Sequence, residues 1–220
     1  SLRSSTSIKG VYVDPNGVPI ANATVILSAL SDRDRGHYSD ESIYLFRSPI
    51  GLQTKSDENG QFEFNGVPHG WVALVSLFHD DWAMKYCSIR TSNSIKTGRS
   101  HPSRPGYFLN PDIKASGSTI VAAKGYLIKG VVRTTDGAPV ENCTISSAWQ
   151  VGASTNENGE FNYRMLPEEF DSTGKPRDVM LRIIPRDISR GLLLKSLPIT
   201  ESEAKSGDAL SIELQQGIPL

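Results

Sequence analysis

Gly10-Val11-Tyr12-Val13-Asp14-Pro15-Asn16-Gly17-Val18-Pro19-Ile20-Ala21-Asn22-Ala23-Thr24-Val25 returns later in the chain as Gly130-Val131-Val132-Arg133-Thr134-Thr135-Asp136-Gly137-Ala138-Pro139-Val140-Glu141-Asn142-Cys143-Thr144-Ile145. The two stretches stand 120 positions apart throughout, with no gap. A second block, Ser56-Asp57-Glu58-Asn59-Gly60-Gln61-Phe62, recurs as Thr155-Asn156-Glu157-Asn158-Gly159-Glu160-Phe161 at an offset of 99. Self-similarity of this kind decides architecture before any single residue is weighed. It also separates residues that a scaffold requires twice from residues that ask for a function of their own.

The repeated blocks read as strands and turns. Ile8 to Val13 is β-branched and aromatic, Asp14-Pro15-Asn16-Gly17 is a turn, and Ala23 to Leu27 is a second strand. Asn59-Gly60 is a hairpin dipeptide ahead of the alternating Gln61-Phe62-Glu63-Phe64. Gly66 to Gly70 reads as a turn, Trp71 to Phe78 as the strongest strand, His79-Asp80-Asp81 as a hairpin turn, and Trp82 to Ile89 as a strand. Residues 91–118, rich in Ser, Pro, Gly and Asn, read as a loop or linker. In the second copy, strands are expected at Ile128 to Val132, Thr144 to Ala148, Phe161 to Tyr163, Val179 to Ile184, Leu192 to Leu197 and Leu210 to Leu214. One short helix is expected, opened by the capping-box spacing Thr200-Glu201-Ser202-Glu203 and closed by Gly207.

The two offsets differ by 21, so the first copy carries an insertion, placed at 31–52. The reading is an all-β chain of two tandem antiparallel β-sandwiches, residues 1–118 and 119–220. Thr119 to Tyr126 resembles Ser211 to Ile218, as though a third unit opened where the chain stops. With neither an initiator methionine nor a leader at Ser1, the chain reads as a piece of something longer.

The two copies share an ordered set of signals. Each has a Gly-led strand, a Gly-x-Pro turn, a small residue entering the next strand, and an Asp/Asn-Glu-Asn-Gly-x-Phe block followed by a proline turn (Pro68, Pro167). This resembles the carboxypeptidase regulatory-like domain, a transthyretin-like (Ig-like) β-sandwich, over residues 7–91 and 126–198. Ala21 and Glu141 stand where that family usually has glycine, and Arg164-Met165-Leu166 replaces Asn65-Gly66-Val67. The resemblance implies a scaffold without chemistry of its own. It implies an accessory part of a secreted or surface-exposed bacterial protein, joined to neighbouring domains of a longer chain, with a glycan or protein as ligand. It also implies an extracytoplasmic setting.

Composition agrees with a passive role. Among 220 residues, 38% are apolar and 21% charged, enough for compact cores, and the net charge of -1 with interspersed signs argues against nucleic acid. No apolar run approaches the roughly 20 residues that cross a bilayer. No nucleophile elbow, zinc-protease motif or phosphate loop is present, so no catalytic residue, metal or cofactor is assigned. Asp57, Asn59, Asn156 and Asn158 have oxygen ligands but too few for calcium, and turns need the same residues. Cys143 occupies the position of Ala23 and reads as a small buried residue. Lys9 and Lys129 would have to face inward to form isopeptide crosslinks, and Asn22-Ala23-Thr24 and Asn142-Cys143-Thr144 match a glycosylation acceptor that the repeat itself explains. The candidate ligand-binding residues are the loop aromatics Tyr38 and Tyr44 of the insertion and Trp149 of the second copy; Trp71 and Trp82 read as core.

Overall fold

The computed structural model describes residues 4–32, 43–44, 52–91, 114–147, 151–170, 178–187 and 191–217. The chain is all-β and divides into two compact units, Ser1–Ala123 and Lys124–Leu220. The division falls after Ala123 rather than after Ser118.

The first unit holds β1 (Ser5–Val13), β2 (Thr24–Asp32), β3 (Ile43–Tyr44), β4 (Gln53–Lys55), β5 (Gln61–Pro68), β6 (Trp71–His79), β7 (Trp82–Arg90), β8 (Lys114–Ala115) and β9 (Ser118–Val121). One sheet runs β5-β1-β9, the other β3-β2-β6-β7-β8 with β4 also on β2. Alternation along the strands sends Ile8 and Tyr12 of β1, Phe62 and Phe64 of β5, Val25 and Leu27 of β2, and Val75 and Leu77 of β6 into one shared core.

The second unit holds β10 (Tyr126–Thr134), β11 (Thr144–Ser146), β12 (Val151–Ser154), β13 (Glu160–Met165), a 3-10 turn at Pro167–Glu169, β14 (Val179–Ile184), β15 (Lys195–Ile199), α1 (Glu201–Ser206) and β16 (Leu210–Leu214). Its sheets run β13-β10-β16 and β12-β11-β14-β15. Ile128, Val132, Phe161, Tyr163, Ile145, Leu181 and Ile183 fill its core.

The copies match in register as well as in order. Gly10 pairs with Phe62 and Gly130 with Phe161. A methyl group at Gly10 would stand 2.4 Å from Phe62 Cζ, and one at Gly130 would stand 2.6 Å from the Phe161 ring. Each glycine therefore makes room for the facing aromatic ring to enter the core. Cys143 is buried where Ala23 is buried, as expected.

Several expectations need correction. The sheets are not purely antiparallel: β9 runs parallel to β1 (Tyr12 opposite Ile120), β16 runs parallel to β10 (Val132 opposite Ile212), and β8 runs parallel to β7. Thr119 to Val121 thus closes the first unit, and its likeness to Ser211 onward is last strand to last strand, not the opening of a third unit. Gly66 to Pro68 continues β5, leaving the turn to His69-Gly70. The strand expected at Leu192 to Leu197 lies at Lys195–Ile199 instead, and β4 and β12 were not anticipated in their polar surroundings.

The proline-turn alignment also shifts. Between the pairs Thr6–Val67 and Ile8–Phe64, Asn65 and Gly66 together oppose Ser7, a β-bulge. The second unit pairs Leu127 with Arg164 and Tyr126 with Met165 without a shift. Met165 therefore takes the place of Val67, and the bulge holds one residue that the second copy lacks. The helix forms as expected. Thr200 Oγ1 accepts from Glu203 N, Glu203 Oε2 accepts from Thr200 N, and Gly207 ends the helix in the left-handed region.

Candidate functional site

The repeated turn residues are engaged in shaping backbone. Asp57 Oδ1 accepts from the backbone N–H groups of Asn59 (2.9 Å) and Gln61 (2.8 Å), while Gly60 N donates to Asp57 O (2.9 Å). Asn156 does the same with Asn158 (3.0 Å) and Glu160 (2.9 Å), and Gly159 N donates to Asn156 O. Asp14 forms a third such turn with Asn16 and Val18. In the Asp57 and Asn156 turns one side-chain oxygen already holds two amides, which opposes the calcium reading and supports the turn reading.

A hydroxyl clamp lies beneath each of the two repeated turns. Ser56 Oγ donates to Ile20 O (2.7 Å) and accepts from Ala23 N (2.9 Å). Thr155 Oγ1 donates to Val140 O (2.7 Å) and accepts from Cys143 N (2.8 Å). Asn22 and Asn142, which donate their backbone N–H to Ser56 O and Thr155 O, are the only non-glycine residues with positive φ among those described (61° and 60°). Asparagine tolerates that conformation better than most residues, which accounts for the duplicated Asn-x-Thr without glycosylation. Sequence reasoning missed the clamp, although the Ser/Thr exchange at the start of the second block was its signal.

Of the candidate ligand aromatics, Tyr38 and Trp149 lie outside the described residues. Tyr44 lies in β3, opposite Ala29 of β2. The described residues therefore do not bring the three together. Trp71 and Trp82 are partly buried against the first core, as expected of core residues. Tyr126 packs on Phe170, and its hydroxyl donates to Glu201 Oε1 (2.8 Å), tying β10 to α1; Lys205 reaches the same carboxylate at 2.9 Å. Lys9 and Lys129 are exposed, and Lys9 pairs with Glu63 at 3.2 Å, so neither faces the core as a crosslink would require. His79 ends β6 opposite Trp82, which leaves the turn expected at His79-Asp80-Asp81 to Asp80-Asp81, and Asp81 N donates to His79 Nδ1. Among the described residues no group of three or more His, Cys, Asp or Glu converges as a metal site.

Features present in one copy only are the better candidates for function. In the second unit Glu169 is 1% exposed; Oε2 accepts from Ser147 Oγ (2.5 Å), Oε1 accepts from Leu166 N (2.9 Å), and Ser147 N donates to the Tyr163 hydroxyl (3.2 Å). The first unit has Leu27 and Phe64 at the positions of Ser147 and Tyr163. Glu169 thus fastens the 3-10 turn to the end of β11 by polar contacts.

The second difference is a sheet face. On β6 and β7 the side chains pointing away from the first core are Val72, Leu74, Ser76, Phe78, Met84, Tyr86, Ser88 and Arg90. Ser76 is 3% exposed, Ser88 is 0% exposed, and Ser28 Oγ lies 2.5 Å from Ser76 Oγ. The corresponding face of β14 and β15 carries Met180, Arg182, Ser196 and Pro198, all exposed. The outer face of the first unit's larger sheet is thus largely buried, with Leu74, Phe78, Tyr86 and Arg90 partly exposed, whereas the matching face of the second unit is exposed.

The structure defines the class: an all-β chain of two units, each built from two sheets around one core. No family model and no curated protein sequence matches the chain. Solved structures similar to it include a streptococcal ancillary pilin (12% identity, 97% of this chain and 62% of that one, TM-score 0.31). A shaft pilin of Lactobacillus rhamnosus GG also matches (8%, 99% and 100%, TM-score 0.31). So does 3-chlorocatechol 1,2-dioxygenase of Rhodococcus opacus 1CP (12%, 56% and 61%, TM-score 0.32). The chain spans under two thirds of the streptococcal protein's length. Likenesses this distant fix neither kinship nor role.

Proposed function

We propose that the chain is a non-catalytic pair of carboxypeptidase regulatory-like modules, acting as a structural, spacer or protein-interaction segment of a larger extracytoplasmic protein. The observation that carries this reading is the duplicated turn. The polar residues repeated in the second block, Asp57 and Asn156 with Ser56 and Thr155, hold backbone groups in both copies. Neighbouring domains of a longer chain are the partners in this reading. No helix among the described residues is long and apolar enough to cross a membrane.

A glycan array with the intact chain tests the proposal. Binding no stronger than to blank spots supports the structural role. Binding that disappears in Trp149→Ala or in the Tyr38→Ala/Tyr44→Ala pair overturns it in favour of a carbohydrate-binding module.

A further inference from the structure

The sequence holds 2 cysteines and 3 methionines, and all of these sulfur-bearing residues lie among those described. The structure gives them unequal access to solvent. Cys143 and Met165 are 0% exposed, Cys87 1% and Met84 5%, whereas Met180 is 40% exposed.

The methionines stand in three different places. Met165 ends β13 and sits in the second core. Met84 lies on the outer face of β7, outside the first core yet buried. Met180 lies on the outer face of β14, opposite Pro198 of β15, and that face is exposed. Met84 and Met180 thus point from the same side of corresponding sheets, one buried and the other open.

This difference bears on oxidation. A thioether sulfur attacks one oxygen of hydrogen peroxide, the O–O bond breaks, and a sulfoxide and water are formed. The sulfur loses two electrons and the peroxide gains them. No ionised protein group takes part, so access of the oxidant to the sulfur governs the rate. A cysteine must in addition be a thiolate to react. Burial pushes the Cys87 thiol up to about 11, and Cys143 is enclosed in the second core.

We propose that Met180 is the oxidation site of the folded chain, and that Met84, Met165, Cys87 and Cys143 are shielded. The sulfoxide turns an apolar side chain polar on the exposed face of β14 and β15, which also carries Arg182 and Ser196, and it leaves both cores as they were.

Treatment of the intact chain with dilute hydrogen peroxide at neutral pH, followed by peptide mapping by mass spectrometry, tests the proposal. Met180 should gain its oxygen on the order of tenfold or more faster than Met84 and Met165, since a buried sulfur reacts only from rare, locally opened states. The first phase should add one oxygen per chain and leave the urea midpoint unchanged. In Met180→Leu that phase should disappear, and in urea-unfolded chain the three methionines should react at similar rates. Oxidation of Met84, Met165 or either cysteine as fast as Met180 in the folded chain would overturn the assignment, as would a fast phase that survives in Met180→Leu.

Discussion

Ser56→Ala removes one hydroxyl and little volume, so its effect isolates the clamp. Ser56 is buried, and its Oγ is the side-chain partner of both Ile20 O and Ala23 N, themselves in buried residues. A buried polar group left unpaired costs about 1–3 kcal/mol, so the pair costs roughly 2–6 kcal/mol. That is a large part of the roughly 5–15 kcal/mol that holds a domain folded. At about 4 °C per kcal/mol for a unit of this size, the melting temperature of the first unit should drop by roughly 10 °C or more. Thr155→Val should do the same to the second unit, while Thr155→Ser, which keeps the hydroxyl, should change little. Urea unfolding followed by fluorescence and circular dichroism gives the global loss. Amide exchange gives the local one, since Ala23 N–H should lose protection in Ser56→Ala and Cys143 N–H in Thr155→Val. A loss below about 0.5 kcal/mol with Ala23 still protected would refute the clamp as a stabilising device.

Two further outcomes are specific. Gly60→Ala should destabilise far more than Gly17→Ala: both have positive φ, but a Cβ at Gly60 would stand 2.3 Å from Tyr12 O, whereas Gly17 meets nothing within 4 Å. The left-handed penalty of roughly 1–2 kcal/mol applies to both, and the backbone clash only to the first, as paired urea midpoints would show. The first unit should also lose stability in alkali. Burial pushes the Cys87 thiol up to about 11 and the Tyr12 phenol up to about 12. The unfolded chain ionises these groups earlier, near 8.5 and 10, so it holds fewer protons and stability falls as pH rises from about 9 towards 12. Unfolding free energy measured across that range should decline, and Cys87→Ala with Tyr12→Phe should flatten the decline.

Much of this molecule was legible in local signals. Turn residues act within four positions of themselves, and so Asp57, Asn59 and Gly60 announced their turn, and Thr200, Glu203 and Gly207 announced the helix ends. The candidate site was less legible. The aromatics Tyr38, Tyr44 and Trp149 were chosen for their place in loops, and local sequence carries no information on which loops converge. Glu169 and Ser88 gave no sign of burial, because a carboxylate or a serine is usually exposed and is dry only when distant strands enclose it.

Duplication, strand content and turn chemistry were settled by the order of residues alone, because each depends on neighbours a few bonds away. Which strands lie side by side was decided only in three dimensions. The parallel closure of β1 by β9 and of β10 by β16 joins segments far apart in the chain, and the Asn65-Gly66 bulge exists only against Ser7 of a partner strand. The two copies share their turns yet differ in their outer sheet faces, largely buried in one and exposed in the other, since a strand's second face answers to whatever packs on it rather than to its own turn residues.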